Sequence, residues 1–329
     1  MKIIALEEHF VIPEVLQAWE NLPPEFQDLA QSSASEGDVG RRLHDLDSER
    51  LAQMAEAGVD VQVLSLTAPG VQNLDASNAV ALQTLSNDAL ADAIRRHPDH
   101  IQGFATLATP APKAAAWELE RAVTKLGFHG AMLHGRTRDR NLDHPDFMPI
   151  FEAADHLRAP LYIHPQSPQP VVRDAYYNGF GDELDTLFAR PGIGWHYETG
   201  VQIIRMMLAG VFDRFPNLQI IAGHWGEVIL FYLDRIDLLG HAAKLPRLPS
   251  EYFRDHVMVT PSGIFSQRYL RWATEVIGID RIMFAADYPY AIAEGGAARR
   301  FIEEASLSEQ DRSKIASGNW ERLCDQIRR

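Results

Sequence analysis

The sequence predicts an α/β protein built as a (β/α)8 TIM barrel. Three observations point there. Eight short apolar segments recur along the 329 residues, helical patterns separate most of them, and chemically useful residues stand at the C-terminal ends of several. Most segments are runs of bulky or β-branched residues with little alternation, as expected for strands buried on both faces of a parallel sheet. Eight such strands alternating with helices favour a closed barrel over an open sheet. A doubly wound sheet is the alternative, but the chain has no GxGxxG or GxxxxGK[ST] to support a nucleotide-binding version of it.

In chain order, strands are expected over residues 2–9, 59–69, 101–108, 129–135, 159–165, 218–224, 256–263 and 280–289. Before the second strand, Leu51, Met54 and Ala55 repeat at helical spacing and Gly58 follows as a C-cap. Helices are expected over 78–96, stopped by Pro98, over 114–126, ended by Gly127, and over 147–156. Residues 199–212 carry Ile203, Met206, Met207 and Ala209 on one side. Further helices follow at 227–239, 267–277 and 295–304. Two connections exceed a turn: 13–45 after strand one and 166–194 after strand five, both rich in Pro and Gly. Long insertions after barrel strands lie on the active-site face and act as lids or subunit contacts. No repeat, linker or composition shift divides the chain, so one domain spans 1–329.

Composition narrows the function. A formal net charge of −14 disfavours non-specific nucleic-acid binding, which needs a basic surface. No apolar run reaches the roughly 18–20 residues that span a bilayer. The opening MKIIALEEHF puts two glutamates where a signal peptide is apolar. The lone Cys324 excludes an intrachain disulfide and a cysteine-based zinc site, and suits a cytoplasmic setting.

The polar strand ends suggest a metal site. Strand one ends Glu7-Glu8-His9, and Glu7 and His9, two apart, share one face. Strand five ends in His164, strand six in His224 and strand eight in Asp287. In a barrel these ends surround one opening, and Glu7, His9, His164 and Asp287 form an N/O set suited to one divalent ion. Glu8 should face outward and take a hydrogen bond or ion pair there. Glycines flank His224-Trp225, and Glu227, read as opening the next helix, is placed to orient His224 as an acid/base group. His134 ends strand four and reads as a substrate contact; His129, His196 and His256 read as structural.

ALEEHF, LYIHP, IIAGHWGE and FAADYPY together resemble the metal-dependent decarboxylase branch of the amidohydrolase superfamily, and the likeness continues to SGNWERL near the C-terminus. That branch acts on γ-resorcylate, 2,3-dihydroxybenzoate, 5-carboxyvanillate and aminocarboxymuconate semialdehyde. The resemblance implies a distorted, amidohydrolase-like barrel, usually dimeric or tetrameric. It implies Glu7, His9, His164 and Asp287 as ligands of one Zn2+ or Mn2+, with His224 and its partner Glu227 at the substrate. It also implies that Arg50 binds a substrate carboxylate and that Arg235 reaches a neighbouring subunit's site. Two departures fall where substrate selectivity is set. His134-Gly135 replaces the family's Asn-Gly, and Tyr288-Pro289-Tyr290 replaces Trp-Pro-Phe, with Tyr288, Tyr290 and Trp225 as an aromatic wall.

The function so implied is non-oxidative decarboxylation of a hydroxylated aromatic acid, with Asp287 as proton donor. The ligand set alone equally allows a hydrolase, in which the ion activates water against a lactone, ester or amide.

Overall fold

The computed structural model describes residues 1–329. Its strands are β1 (Ile4–Phe10), β2 (Val61–Leu66), β3 (Ile101–Gly103), β4 (Ala105–Thr106), β5 (Ala131–His134), β6 (Leu161–His164), β7 (Ile220–Ala222) and β8 (Val257–Val259). All pair in parallel, in the orders β1-β2-β3 and β4-β5-β6-β7-β8. The expected third strand is thus broken at Phe104. Its first half pairs with β2 and its second with β5, and Phe104 N donates to Leu64 O at 2.8 Å while Ala105 N donates to Gly130 O at 2.8 Å. One segment therefore joins both sheets.

The expected eighth strand forms no regular ladder, yet it closes the barrel. Met283 N donates to Val259 O at 2.9 Å, Leu6 N to Phe284 O at 3.1 Å, and His9 N to Tyr288 O at 2.8 Å. Residues 282–288 therefore lie between β8 and β1. The interior confirms the closure. Ile4, Leu6, Val61, Val63, Phe104, Met132, Tyr162, Ile221, Met258, Met283 and Ala285 form one buried cluster to which all eight segments contribute. Trp320 and Leu323, from the helix Asn319–Cys324, join it. A larger cluster packs the outer strand faces against the helices. The architecture is a distorted (β/α)8 barrel.

A bulge in β1 sets the site. Ala5 pairs with Gln62 but Glu8 pairs with Leu64, so one extra residue is accommodated. Ile4 and Leu6 point inward below it; above it the parity switches, and Glu7 and His9 point inward while Glu8 points out. Without the extra residue, Glu8 would face the barrel and both expected ligands would miss it.

The insertions fold over the mouth. The first contains the helices Pro13–Glu20, Ala30–Ser35 and Gly37–His44, and the second Pro170–Tyr176 and Asp182–Leu187. No helix of the chain is long and apolar enough to cross a membrane.

Candidate metal centre and reaction cavity

Glu7, His9, His164 and Asp287 offer ligand atoms that all lie within 4.8 Å of one another. Glu7 Oε1 stands 3.3 Å from His164 Nε2, and Asp287 Oδ1 stands 3.4 Å from His9 Nε2. His164 Nδ1 lies 2.8 Å from the Pro165 carbonyl, which requires the ring proton there and leaves the Nε2 lone pair facing Glu7. Two acceptors facing each other at 3.3 Å call for a cation. Glu7 Oε1 and His9 Nε2 are moreover buried without any hydrogen-bond partner. Burial pushes Glu7 up to about 8, above its ordinary carboxylate range, although Ser262 and Tyr162 donate to its other oxygen. The residues fit a divalent ion, which would satisfy both orphaned atoms and restore Glu7 to a carboxylate.

His134 is not at the cavity. It is buried behind His164, with Nε2 3.0 Å from the Leu66 carbonyl and Nδ1 3.3 Å from His164 Nδ1. The expected substrate contact is corrected to a packing role, because β5 and β6 hold His134 level with His164 and the ring nitrogens of His134 meet His164 and the Leu66 carbonyl inside the wall. Arg50 is likewise corrected. It is fully buried on the outer side of the barrel wall, where Nε donates to Asp45 O, Nη1 to Gln62, and Nη2 to His9 O and Arg42 O. Four of its five N–H groups are so committed, and its guanidinium lies 4.9 Å over the Tyr288 ring, away from the residues that line the cavity.

Glu8 faces outward as expected and does specific work. Its Oε1 accepts from Ala286 N at 2.8 Å, and its Oε2 from Tyr288 N at 3.3 Å and from Gln62 Nε2 at 3.2 Å. It thereby grips both residues flanking Asp287, whose backbone is left-handed at φ 63°. Burial pushes Glu8 up to about 8. Three N–H donors and no acceptor surround its oxygens, a setting made for the ionised form.

The chain from Gly223 to Val228 is a strained turn. His224, Trp225, Glu227 and Val228 all have positive φ, and the helix begins only at Ile229. Glu227 therefore does not open the helix as expected. It is buried beneath the turn, and its Oε1 lies 2.8 Å from His224 Nδ1. Gly223 serves by its small size, since a Cβ there would stand 2.8 Å from Glu7 Oε2. Such strain persists only where the surroundings over-determine it, as at functional sites.

Glu227 has a second imidazole that sequence reasoning missed. His196 Nδ1 lies 2.7 Å from Glu227 Oε2, and the His196 and His224 rings are 4.5 Å apart. The hint was WHYETG at the end of the second insertion, but nothing in the spacing ties residue 196 to residue 227. Burial opposes charge on His224, but Glu227, Glu7 and Asp287 outweigh it and raise the imidazole well above its ordinary value. Burial also pushes Glu227 and Asp287 up, yet the histidines beside each prevail and hold both below the usual carboxylate range. His224 Nε2 is 3.9 Å from Asp287 Oδ2, so the His224–Glu227 pair adjoins the four-residue cluster.

A cavity of about 420 Å³ opens above these groups, a size suited to one small organic ligand. His164, His196, His224 and Asp287 form its polar side. Tyr290 and Trp195 supply aromatic rings, and both insertions contribute walls. Tyr290 hydrogen-bonds Thr67 at 2.6 Å, and burial pushes its hydroxyl up to about 12. The expected wall differs in part. Trp225 donates to Ile264 O and packs toward Tyr269 and Phe301, and Tyr288 lies under Arg50. Arg235 is exposed on the helix Ile229–Ala243, outside this cavity.

The amidohydrolase family profile matches residues 11–324. The chain belongs to the amidohydrolase family. This amidohydrolase is 35% identical over 334 residues to a γ-resorcylate decarboxylase from Polaromonas sp. (strain JS666 / ATCC BAA-500), covering 97% of each chain. Among solved structures it resembles 5-carboxyvanillate decarboxylase from Sphingomonas paucimobilis, with TM-score 0.90, 34% identity and 100% of both chains covered. It also resembles a dihydroxybenzoic acid decarboxylase from Polaromonas sp. JS666, with TM-score 0.85, 33% identity, and 100% and 98% coverage. That enzyme was crystallised with manganese and the inhibitor 2-nitroresorcinol.

Proposed function

We infer that this amidohydrolase is a metal-dependent carboxy-lyase that removes CO2 non-oxidatively from a hydroxylated, dihydroxybenzoate-like aromatic acid. The observation that carries the reading is Asp287, which belongs to the four-residue cluster and also lies 3.9 Å from His224 at the floor of a ring-sized cavity. Full-length similarity to γ-resorcylate and 5-carboxyvanillate decarboxylases supports the substrate class.

Glu7, His9, His164 and Asp287 are the ligands we assign to one divalent ion, Mn2+ or Zn2+, both of which accept mixed N/O sets. Manganese in the Polaromonas relative supports the former. When bound, such an ion would supply Lewis-acid stabilisation of negative charge on an anionic substrate in the cavity. Tyr290 and Trp195 seat the ring, and the insertions exclude water. Asp287 takes up a proton as the anionic substrate settles beside it, because adjacent anions disfavour a second negative charge. It delivers that proton to the ring carbon bearing the carboxylate. The bond from that carbon to the carboxylate then breaks, its electron pair restores the aromatic ring, and CO2 leaves. His224 relays the replacement proton, with Glu227 and His196 holding its orientation. Carboxylation at high bicarbonate is the same path reversed.

A homodimer or homotetramer fits the outer face. The helix that bears Arg235 also exposes Phe231 (70%), Tyr232, Leu238 and Leu239, apolar side chains of the kind that line subunit contacts. Arg235 is then a contact to the neighbouring subunit's site. A cytoplasmic setting suits the lone thiol of Cys324.

The test is to load the protein with Mn2+, add 2,6- or 2,3-dihydroxybenzoate, and measure CO2 and the decarboxylated phenol. Equal amounts of both are expected. Hydrolysis of lactones or esters, with no CO2 from any hydroxybenzoate, would overturn the reading in favour of a hydrolase.

A further inference from the structure

The helix Gly194–Leu208 lies against the left-handed turn that carries His224 and Glu227. The contact is close because Gly200 has no side chain: a Cβ there would stand 2.6 Å from the Glu227 carbonyl oxygen. His196 is four residues before Gly200, so it projects from the same face of the helix. That register brings its ring to the Glu227 carboxylate, with Nδ1 2.7 Å from Oε2. Glu227 is fully buried, and each of its oxygens has one donor in the chain, His224 on Oε1 and His196 on Oε2.

The other nitrogen of His196 meets Trp195, a wall of the cavity. Trp195 Nε1 stands 3.2 Å from His196 Nε2, and an indole N–H only donates. His196 Nε2 must therefore carry its lone pair, and its proton sits on Nδ1, where Glu227 accepts it. The Pro191 carbonyl, 3.3 Å from Nε2, would be served only by a second ring proton, in whose place the indole N–H stands. A neutral His196 also suits the charges, since its ring is 4.5 Å from that of His224 and the one carboxylate between them balances one imidazolium. Hydrogen bonds thus run in one sense from Trp195 through His196 to Glu227, and His224 donates to the same carboxylate from the other side.

We propose that His196 is a positioning residue that joins the ring-binding wall to the acid/base pair: one neutral imidazole holds the Trp195 indole on its Nε2 and the Glu227 carboxylate on its Nδ1, so that Trp195 and His224 keep a fixed relation across the cavity. This rests on the decarboxylase reading and extends it to how ring seating and proton delivery are kept in step. With His224 as its sole partner, the Glu227 carboxylate would be free to turn about its last bond and take His224 with it; a donor on each oxygen stops that rotation. The Trp195 N–H has no acceptor other than His196, so the same imidazole fixes the plane that the indole offers to a substrate ring. A ring that pushed Trp195 aside would break this bond and loosen His224. A misplacement of about 1 Å costs on the order of 100-fold in rate, so the link makes turnover sensitive to how the ring is seated.

The experiment measures kcat and KM for 2,6-dihydroxybenzoate on Mn2+-loaded wild type, His196→Leu, His196→Gln, Trp195→Phe and the double variant His196→Leu/Trp195→Phe. His196→Leu strips a donor from Glu227 and the acceptor from Trp195, so kcat should fall at least tenfold and KM should rise. His196→Gln should recover most of both, because a carboxamide sets a donor and an acceptor on one carbon, as the imidazole does on Cε1. Trp195→Phe keeps an aromatic face for the substrate but loses the N–H, and should lower kcat about threefold; on the His196→Leu background it should lower kcat no further. A Gln variant no better than Leu, or single effects on kcat that multiply in the double variant, overturns the proposal and leaves the decarboxylase reading intact. A readout without turnover is the nitrogen-15 NMR signal of the His196 ring, which should report a neutral ring protonated on Nδ1 near neutral pH; a proton on Nε2 overturns the proposal as well. The Nδ1 signature without CO2 from any hydroxybenzoate has the opposite meaning: the link from Trp195 to Glu227 stands and the decarboxylase reading falls.

Discussion

Replacing Glu8 by Gln should loosen the turn that carries Asp287 without changing any group in the cavity. Glu8 points out of the barrel, and its two oxygens accept from Ala286 N, Tyr288 N and Gln62 Nε2. Gln62 Oε1 in turn accepts from Arg50 Nη1 at 3.0 Å. Every link runs from donor to acceptor in one sense. A Gln at position 8 has one accepting oxygen, so its amide hydrogens must face at least one of these N–H groups. Flipping Gln62 to compensate would turn its amide nitrogen toward Arg50. A hydrogen bond to a charged acceptor is worth about 1.5–3 kcal/mol, and a stranded buried donor costs about 1–3 kcal/mol. Losing one and stranding one amounts to roughly 2.5–6 kcal/mol, against a net stability of about 5–15 kcal/mol for a typical domain. The substitution keeps the side-chain volume, so no cavity term enters. Part of the loss must appear at Asp287, whose left-handed backbone is held by these bonds on both sides. Urea unfolding of the metal-free protein should therefore shift to a lower midpoint, and Mn2+ affinity measured by titration should fall at least tenfold. A variant within about 0.5 kcal/mol of wild type, the usual spread for a neutral surface change, and with unaltered Mn2+ affinity would refute the reasoning.

Three further outcomes are expected. In the assigned roles Asp287 is both ligand and proton donor, so in Asp287→Asn CO2 release should drop by at least about 1,000-fold while circular dichroism stays native; retained turnover would exclude Asp287 from both roles. Stripping the metal with a chelator should lower the melting temperature, and Mn2+ restored to 100 times its Kd should return about 2.7 kcal/mol. A thermal scan that ignores Mn2+ would mean that no ion completes the cluster. His129, away from the site, is held down at about 4 by burial and by Arg329, against 6.5 for a free imidazole. Between those values the unfolded chain binds a proton that the native state does not, so stability should fall as pH drops through the window, by up to about 3 kcal/mol. His129→Gln should flatten that part of the urea-stability curve between pH 7 and 4.5, and parallel curves for both proteins would disprove the assignment.

The four-residue cluster was legible in part, because two local rules bring its members near one another. Strand period places Glu7 and His9 together, and a parallel barrel brings every strand's C-terminus to one mouth, which gathers His164 and Asp287 as well. The helices were legible from their apolar spacing and their Gly or Pro stops, although the helix after His224 begins two residues later than its pattern suggests, because the turn before it is left-handed. The expected eighth strand kept its place between its neighbours but not its ladder, since its end must bend to carry Asp287 into the mouth.

What remained illegible concerns partners rather than positions. A polar residue's role depends on which distant group meets it, and no spacing rule carries that. Arg50 and Arg190 are both arginines near apolar residues in the sequence, yet one gives four hydrogen bonds inside the barrel wall and the other lines the cavity. His134 and His196 exchanged their expected parts for the same reason: one packs beside His164, and the other reaches from the helix Gly194–Leu208 to Glu227. The sequence by itself determined the barrel, its polar rim and the kind of ion that rim could hold, because those follow from periodicity and chain order. Only the tertiary structure decided the bulge that turns Glu7 inward, the clamp on Asp287 and the sharing of Glu227 by His196 and His224, because each arises where segments far apart in the chain compete for the same hydrogen bonds and the same space.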